Sequence, residues 1–195
     1  MRLDSERPVV MPWMDEVRSR LEARDRESPE AGEGQRRTAV LVPLFVRDGV
    51  LRVLLTRRTE TVEHHRGQIS FPGGVEEEGD GTLLATALRE TEEELGIAAG
   101  HVRYLGALSP LKTVTDFYVE PFVGAIPHPY SFRPAEAEIA EVIEAPIPAL
   151  LDPKALETRL LPERDEPTLF YRHGEHVIWG ATARMLKELL DALRP

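Results

Sequence analysis

The segment formed by residues 71–97 constrains the fold of this chain more than any other stretch. It reads FPGGVEEEGDGTLLATALRETEEELGI, so that a Pro-Gly-Gly turn and an acidic loop lead into a helix. Successive residues of a helix are about 100° apart, and this rotation separates the apolar positions from the charged ones. One face is predicted to be buried and the roughly opposite face to hold negative charge. The first comprises Leu84, Leu88, Thr91 and Leu95, and the second Glu90, Glu93 and Glu94.

Three carboxylates on one helix face need an explanation, because like charges four residues apart destabilise a helix by roughly 0.2–0.5 kcal/mol. Magnesium and manganese take oxygen ligands and suit such a cluster. Arg89 carries a single positive charge and can neutralise only part of it. The alternative is a solvated acidic face with Arg89 as its intrahelical partner, and the wider pattern around the helix favours the metal.

That pattern is a glycine pair followed by Arg-Glu-apolar-x-Glu-Glu-x-Gly-apolar, and its second half occupies residues 89–97. It resembles the Nudix box, the signature of the Nudix hydrolases. Thr91 stands where an aliphatic residue is usual. The general pattern also places a glutamate eight positions before the arginine, where this chain has Gly81, with Asp80 one step earlier.

The spacing from Gly74 to Arg89 is one residue longer than the general rule, and the coenzyme A pyrophosphatase subgroup of the family tolerates that lengthening. Upstream residues resemble the signature of the same subgroup, except that Thr59 replaces a usual Ser or Ala and Glu63 a frequent basic residue. The resemblance covers roughly residues 39–195. The residues that carry the upstream signature are Leu54, Leu55, Thr56, Arg58, Gly67, Phe71, Pro72, Gly73 and Gly74.

Breaking a phosphoanhydride requires neutralised phosphate charge and an activated water, and divalent ions can supply both. Glu90 and Glu94, one turn apart on the same face, are the expected ligands of Mg2+ or Mn2+, with Glu93 next. The resemblance implies instead that Arg89 orients Glu93, since the box arginine of the family orients one of its own carboxylates. A glycine turn also lets the backbone approach closely, so the carbonyl of Gly74 is a further expected ligand.

The general base is drawn from different places in this superfamily, sometimes from the box and sometimes from a downstream acidic residue. The segment Glu138-Ile139-Ala140-Glu141-Val142 resembles the Glu-(Val/Ile)-x-Glu-Val stretch of the family. Glu138 is therefore the first candidate, Glu141 the second and Glu120 a third. For each of them, an exposed strand carboxylate without a catalytic role is the alternative.

A charged loop precedes the acidic box, with arginine and histidine side chains between residues 57 and 67. It is interpreted either as a patch that binds a substrate phosphate or as a solvated loop. The predicted substrate-binding residues are Arg58, His65, Arg66, Gly67 and Gln68.

A chain of 195 residues is long enough for one domain with a sizeable core. Its net charge of −10 argues against a surface that coats nucleic acid, but metal ions can supply the charge needed to bind a phosphorylated small molecule. The absence of cysteine excludes disulfides, thiol nucleophiles and thiolate metal sites. The expected partner is a small molecule, coenzyme A or a related diphosphate.

Residues 39–46 form the longest aliphatic run, which is far shorter than the roughly 20 residues that span a bilayer. With no secretory signal visible, a cytoplasmic protein without a membrane partner is expected. Residues 1–37 are predicted to form a helix and a polar linker, and residues 38–195 the hydrolase domain. Trp13, Val17 and Leu21 give that helix an apolar seam, which packs on the domain or on a second subunit and makes a homodimer plausible.

Several local signals predict the fold. Asp48-Gly49 between two apolar, β-branched runs predicts a hairpin, Asp80 or Thr82 is expected to cap the helix of the box, and Gly96 to end it. Pro121 predicts a strand at an edge or a bulge. Strands mixed with a few long helices in one short chain indicate an α/β sandwich, and the resemblance implies a Nudix-type α/β/α sandwich with a mixed β-sheet.

Three functions follow. The first is hydrolysis of coenzyme A, and of acyl or oxidised forms, to 3′,5′-adenosine bisphosphate and 4′-phosphopantetheine. The second keeps the enzyme but changes the substrate to ADP-ribose or another nucleoside diphosphate derivative. The third is a nucleotide-sensing module without turnover, against which the intact cluster of Arg89, Glu90, Glu93 and Glu94 argues.

Overall fold

The computed structural model describes residues 11–27, 31–32, 34–61, 66–113, 116–162 and 166–194. In that part of the chain the helices are α1 (Pro12–Glu22), α2 (Leu83–Leu95), α3 (Ile147–Leu151) and α4 (Gly180–Leu193). The strands are β1 (Arg36–Arg47), β2 (Val50–Arg58), β3 (Ile69–Ser70), β4 (Gly73–Val75), β5 (Arg103–Ala107), β6 (Leu111–Lys112), β7 (Phe117–Ala125), β8 (Ile139–Pro146), β9 (Leu156–Arg159), β10 (Thr168–His173) and β11 (His176–Trp179).

The hairpin predicted at Asp48-Gly49 is confirmed. Both residues have positive φ, 53° and 75°, as the two central positions of a type I′ turn require. The turn joins β1 to β2, which pair antiparallel from Arg47 and Val50 to Leu44 and Val53.

Beyond Leu44 the two strands of the hairpin separate, and β3 and β4 fill the gap between them. β3 pairs with the end of β2, and β4 pairs with the beginning of β1. The carbonyl of Pro72, between β3 and β4, accepts a hydrogen bond from the Leu41 N–H at 2.9 Å. The predicted turn at Gly73-Gly74 is therefore the start of strand β4, and these two glycines lie inside the sheet, beside the end of β2.

β7 runs parallel to β1, whereas the other pairings of the sheet are antiparallel, so the sheet is mixed. Pro121 was expected to mark an edge or a bulge. β7 is not an edge strand, because it lies between β1 and β5, but its pairing is irregular at the proline: Ala107 of β5 is opposite Phe122, and β6 resumes with Leu111 opposite Val119. The proline is tolerated because its carbonyl faces the gap between β5 and β6, where it accepts the Leu108 N–H at 2.9 Å. No ladder hydrogen bond at that position requires the missing N–H.

Apolar residues cover both faces of this sheet. On one face, β1 and β2 residues such as Leu41 and Leu54 pack against Leu83, Leu95 and other residues of α2 and its flanks. On the opposite face, the alternate residues of the same strands pack against α1, α4 and the three-stranded antiparallel sheet β11-β10-β9. The arrangement is the predicted α/β/α sandwich.

α1 packs on its own domain. Val17 and Leu21 are 2% and 6% exposed and belong to the same core cluster as α4, so the apolar seam is used within the protomer. The polar segment after α1 is also held: Arg24 pairs with Glu188 of α4, and Arg26 donates to the carbonyl of Leu108 at 2.8 Å.

Two prolines flank the first residue of α3. The helix starts at Ile147, with Pro146 directly before it and Pro148 in its first turn. Proline is accepted in the first turn of a helix because the N–H groups of that turn have no intrahelical partner. Among the described residues, every helix is too short or too polar to cross a membrane.

Candidate active site

α2 is bounded by the two caps that the sequence predicted. The hydroxyl of Thr82 accepts a hydrogen bond from the Ala85 N–H at 3.1 Å, and Gly96 ends the helix in the left-handed conformation at φ 69°. Thr91, which replaces an aliphatic residue of the box, is fully buried and donates its hydroxyl to the Ala87 carbonyl at 2.6 Å. That hydrogen bond allows a polar side chain in the core, because a buried hydroxyl without a partner is costly.

The buried face of α2 is rotated from the predicted stripe. Leu83, Ala87, Thr91 and Leu95 are buried, whereas Leu84 and Leu88 are only half-buried. The face that contains Ala87 and Thr91 also contains residue 94, three positions further along the helix. As a result, Glu94 lies in the edge of the core instead of on the solvated side.

Glu94 is the most buried carboxylate of the helix, with 7% of its side chain exposed. Its Oε2 accepts a hydrogen bond from the Gly73 N–H at 3.3 Å, and its Oε1 lies 3.7 Å from Nη1 of Arg58. Burial raises its pKa to about 8, although the nearby Arg58 opposes the shift. The negative charge of Glu94 is therefore only weakly compensated.

Glu90 lies one turn before Glu94, against the backbone of Gly74. A Cβ atom added to Gly74 would overlap the carboxyl group of Glu90, so this close approach requires glycine. Oε1 of Glu90 accepts a hydrogen bond from Arg89 at 3.0 Å. Burial nevertheless raises the pKa of Glu90, with Arg89 acting in the opposite direction.

Asp80 holds Arg89 in place. Oδ1 of Asp80 accepts from Nε of Arg89 at 2.8 Å, and Oδ2 accepts from Nη2 at 3.0 Å. The side chain of Asp80 is 5% exposed and also accepts the hydroxyl of Thr86 at 2.8 Å. Its hydrogen bonds from Arg89 hold its pKa well below the usual range.

The sequence indicated Asp80 as a departure from the box and as an alternative cap to Thr82, but not its contact with Arg89. Gly81, which stands where the general pattern has a glutamate, adopts φ 71°. Glycine adopts this left-handed conformation easily, and at position 81 it turns the chain from Asp80 toward the cap at Thr82 and the helix. The sequence signal that could have indicated this contact was the acidic Asp80, one position before the place where the general pattern has a glutamate.

Glu93 lies at the outer edge of the site. Its side chain is 60% exposed, and its Oε2 accepts from Nη1 of Arg89 at 3.3 Å. The structure therefore contains the pairing of Glu93 with Arg89 that was the alternative to metal ligation by Glu93.

Glu138 lies across Arg58 from Glu94. Oε2 of Glu138 is 3.5 Å from Nη2 of Arg58, and the same guanidinium reaches Glu94 through Nη1. Arg58 thus bridges the expected metal ligand and the first candidate base. Its Nε is buried and has no hydrogen-bond partner within the described part of the chain.

Glu141 and Glu120, the other two candidate bases, lie away from this cluster. Oε2 of Glu141 accepts from Nε of Arg57 at 2.9 Å, and its Oε1 lies 3.4 Å from Nε2 of His176 on β11. Glu120 pairs with Arg26 at 2.5 Å.

The predicted substrate-binding residues surround the end of β2. The main-chain N–H of Arg58 donates to the carbonyl of Gln68 at 3.0 Å, and the N–H of Gly67 donates to the carbonyl of Thr59 at 3.4 Å. These contacts place Gly67 and Gln68 beside Arg58, with Arg66 next along the chain. His65 lies outside the described residues, as do Glu63 and His64.

The donor set fits a magnesium-type ion. Mg2+ is usually bound through one or two carboxylates, and water and substrate phosphates complete its coordination. Glu90 and Glu94 provide two carboxylates whose pKa values are raised chiefly by burial, against the opposing effect of Arg89 and Arg58. Within the described part of the chain, no three acidic or histidine side chains are grouped closely enough to form a metal cage by themselves.

Comparison with known proteins identifies a family. The NUDIX domain family model matches residues 35–170. A Photorhabdus laumondii protein named uncharacterized Nudix hydrolase NudL is 36% identical over 164 residues, which cover 83% of this chain and 87% of that protein. The Salmonella newport protein of the same name is 39% identical over 166 residues, covering 80% and 81%.

Solved structures show the same fold. A MutT/nudix family protein from Enterococcus faecalis superimposes with a TM-score of 0.54 at 20% identity, covering 86% of this chain and 63% of that chain. The Nudix hydrolase RenU from M. smegmatis gives a TM-score of 0.51 at 19% identity, covering 60% and 74%.

Proposed function

The chain belongs to the Nudix family, and on this premise we propose that it is a metal-dependent hydrolase of the diphosphate bond of coenzyme A. The products are 3′,5′-adenosine bisphosphate and 4′-phosphopantetheine. The observation that carries the proposal is the placement of a buried, weakly compensated Glu94 between Glu90 on its own helix and Arg58 and Glu138 across the site.

Glu90 and Glu94 would hold the metal ion, Mg2+ or Mn2+. When bound there, such an ion would supply positive charge to the phosphoryl oxygens and lower the pKa of a bound water. Arg89 keeps Glu90 in place, and Asp80 in turn keeps Arg89 in place through its two hydrogen bonds. Such support is important because loss of a residue that orients a metal ligand typically costs about 10–100-fold in affinity or activity.

Glu138 is the general base. It accepts a proton from water, the water oxygen forms a bond to one phosphorus, and the bond from that phosphorus to the bridging oxygen breaks. Glu138 is about half exposed and its Oε2 lies 3.5 Å from Nη2 of Arg58, so that water reaches it beside the group that would bind the substrate phosphate. Glu141, which pairs with Arg57 and lies 3.4 Å from Nε2 of His176, has no role in proton transfer in this proposal.

Substrate phosphates lie at the end of β2 in this proposal. Arg58 supplies positive charge there, and Arg66, Gly67 and Gln68 lie in the adjacent segment. The planar guanidinium of Arg58 offers charge-assisted hydrogen bonds to phosphate oxygens. The preference for coenzyme A is supported by the upstream signature from Leu54 to Gly74. The relatives named NudL support only the broader assignment as a Nudix hydrolase.

The experiment compares hydrolysis of coenzyme A and ADP-ribose by the purified protein with Mg2+ and with Mn2+, and separates the products by chromatography. We expect coenzyme A to be cleaved to the two products above, and activity to disappear with a chelator. The Glu94→Gln protein, purified in the same way, controls for contaminating hydrolases. A rate that favours ADP-ribose by about tenfold, which corresponds to roughly 1.4 kcal/mol in transition-state binding, would overturn the choice of coenzyme A.

A protein that is inert toward both substrates and toward other diphosphates, but binds one of them tightly, would overturn the assignment as an enzyme and support a nucleotide sensor.

A further inference from the structure

A bulge interrupts β8 between the two downstream glutamates, Glu138 and Glu141. Along the β2–β8 ladder, Arg57 is opposite Glu141, but the next residue, Arg58, is opposite Ile139, so Ala140 is extra. In a regular strand, residues 139 and 141 would point to the same face. Because of the bulge, Ile139 packs in the cluster with Leu95 of α2, whereas Glu141 points to the opposite face. Bulges that redirect a side chain occur often next to active sites.

Thr59, the residue after β2, forms hydrogen bonds with the turn of residues 135–138, which precedes this bulge in the chain. Its main-chain N–H donates to the carbonyl of Glu138 at 2.8 Å, and its hydroxyl donates to the carbonyl of Ala137 at 3.0 Å. The Oγ1 atoms of Thr59 and Thr61 are also 2.9 Å apart. Since the Thr59 hydroxyl has one proton, Thr61 is the donor in that second contact.

The other end of this turn forms a hydrogen bond with α2. The Ala135 N–H donates to the carbonyl of Glu94 at 2.9 Å, and the Glu138 N–H donates to the carbonyl of Ala135 at 2.8 Å. The turn thus spans from the metal-binding helix to the end of β2, and the hydroxyl of Thr59 is the side-chain contact at the β2 end.

We propose that Thr59 is a positioning residue, whose hydroxyl holds the turn of residues 135–138 at the bulged register and thereby keeps Glu138 opposite Glu94. The inference rests on the proposed role of Glu138 as general base. Thr59 does not touch the reacting atoms in this arrangement. It acts on turnover through the orientation of Glu138, and the polar group that matters is its hydroxyl, which serine shares and valine lacks.

The experiment uses Thr59→Val, which keeps the shape of the side chain, and Thr59→Ser, which keeps the hydroxyl. Thr61→Val is the matched control, because it removes the second contact of Thr59 but leaves the Ala137 carbonyl paired. We expect Thr59→Val to lower kcat about tenfold, the order expected when a small displacement disturbs proton transfer, with KM changed by less than about twofold. Thr59→Ser and Thr61→Val should keep kcat within about twofold of the parent.

Metal affinity and the midpoint of urea unfolding are measured on the same proteins. Both should be unchanged in Thr59→Val, because Ala137 is exposed and water replaces the lost donor. A fall in activity accompanied by a fall in metal affinity or stability, or one that Thr59→Ser fails to restore, would overturn the inference.

The Thr59→Val/Glu138→Gln double variant separates this inference from the proposed function. If Thr59 acts through Glu138, Thr59→Val should cost less than about twofold once Glu138 is already glutamine. If Thr59→Val lowers kcat by the same factor in the parent and in Glu138→Gln, the inference is overturned but the proposed function stands. The inference is also overturned, without the proposed function, if Thr59→Val is fully active while Glu138→Gln is inactive. A fully active Glu138→Gln refutes the base assignment, and the inference falls with it.

Discussion

Two neighbouring arginines at the end of β2 lie in two contrasting regions of the molecule. Arg57 points to the face of the sheet covered by β9–β11, where it pairs with Glu141 beside His176. Arg58 points to the face covered by α2, where it lies between Glu94 and Glu138. Both clusters consist of an arginine and glutamates, but only one of them contains a carboxylate that is nearly removed from water.

The difference teaches that environment, more than residue type, distinguishes a structural ion pair from a reactive one. The side chains of Arg57 and Glu141 are 39% and 35% exposed, and pairs so exposed contribute about 0–1 kcal/mol to stability. Glu94 has 7% of its side chain exposed and an arginine at 3.7 Å instead of in close contact. A carboxylate in that position destabilises the metal-free protein, which is typical of a site organised for a ligand.

The largest expected effect tests the α2 face. Glu94→Gln keeps the shape of the side chain but removes a charged oxygen ligand, so turnover of coenzyme A should fall by about 10³-fold and metal affinity should fall with it. Initial rates and calorimetric titration with Mn2+ measure the two quantities. Glu92→Gln, an exposed position on the same helix, should retain activity within about twofold. Glu94→Gln with more than a tenth of the parent rate would contradict the assignment of Glu94.

The second effect compares the two faces directly. Glu138→Gln should lower kcat by about 10²-fold, as loss of a general base typically does, and leave metal affinity nearly intact. Glu141→Gln, its counterpart on the opposite face, should keep kcat within about twofold and cost at most about 1 kcal/mol of stability. A loss smaller than tenfold in Glu138→Gln would remove Glu138 from the mechanism. An inactive Glu141→Gln would refute the comparison itself.

The last prediction concerns the pH dependence of stability in the metal-free protein. The pKa of Glu94 is raised from 4.5 to about 8, so above pH 4.5 the folded state retains a proton that the unfolded state releases. The free energy of unfolding should therefore fall as pH rises from about 4.5 to about 8, by at most about 1.4 kcal/mol per pH unit. The stability that the protonated form of Glu94 contributes is fully present only below about pH 4.5.

Urea denaturation at several pH values, with a chelator present, measures that dependence. Other groups titrate in the same range, so the informative quantity is the difference between the parent and Glu94→Gln. The free energy of unfolding of the parent, minus that of Glu94→Gln, should decrease as the pH rises. A difference independent of pH would show that Glu94 has an ordinary pKa in the folded protein.

Much of the acidic helix was predictable because its signals are local. Thr82 and Gly96 occupy the predicted caps, and the pairing of Glu93 with Arg89 joins residues one helical turn apart. The rotation of the buried face was not predictable. Leu83 and Ala87 are buried against the sheet, whereas Leu84 packs only at the margin of the same cluster and Leu88 is half-buried, since the fit of α2 against β1 selects the face that packs closely.

The two downstream acids could not be ranked securely from their spacing. Regular alternation places residues 138 and 141 on opposite faces but does not say which of them faces α2, and the register around the bulge at Ala140 depends on contacts with β2 and Thr59. Asp80 likewise looked like a defect in the box. Its role is visible only once the left-handed Gly81 turns its carboxylate toward Arg89, nine residues away in the chain.

The sequence by itself determined the hairpin, the capped helix and the row of acids on it, because turn chemistry and helical periodicity act between residues a few positions apart. Only the tertiary structure decided which of those acids is buried, which downstream glutamate faces it, and which arginine lies between them. Those outcomes depend on strand register and on the distance from water, and both are set by parts of the chain that are far apart in sequence.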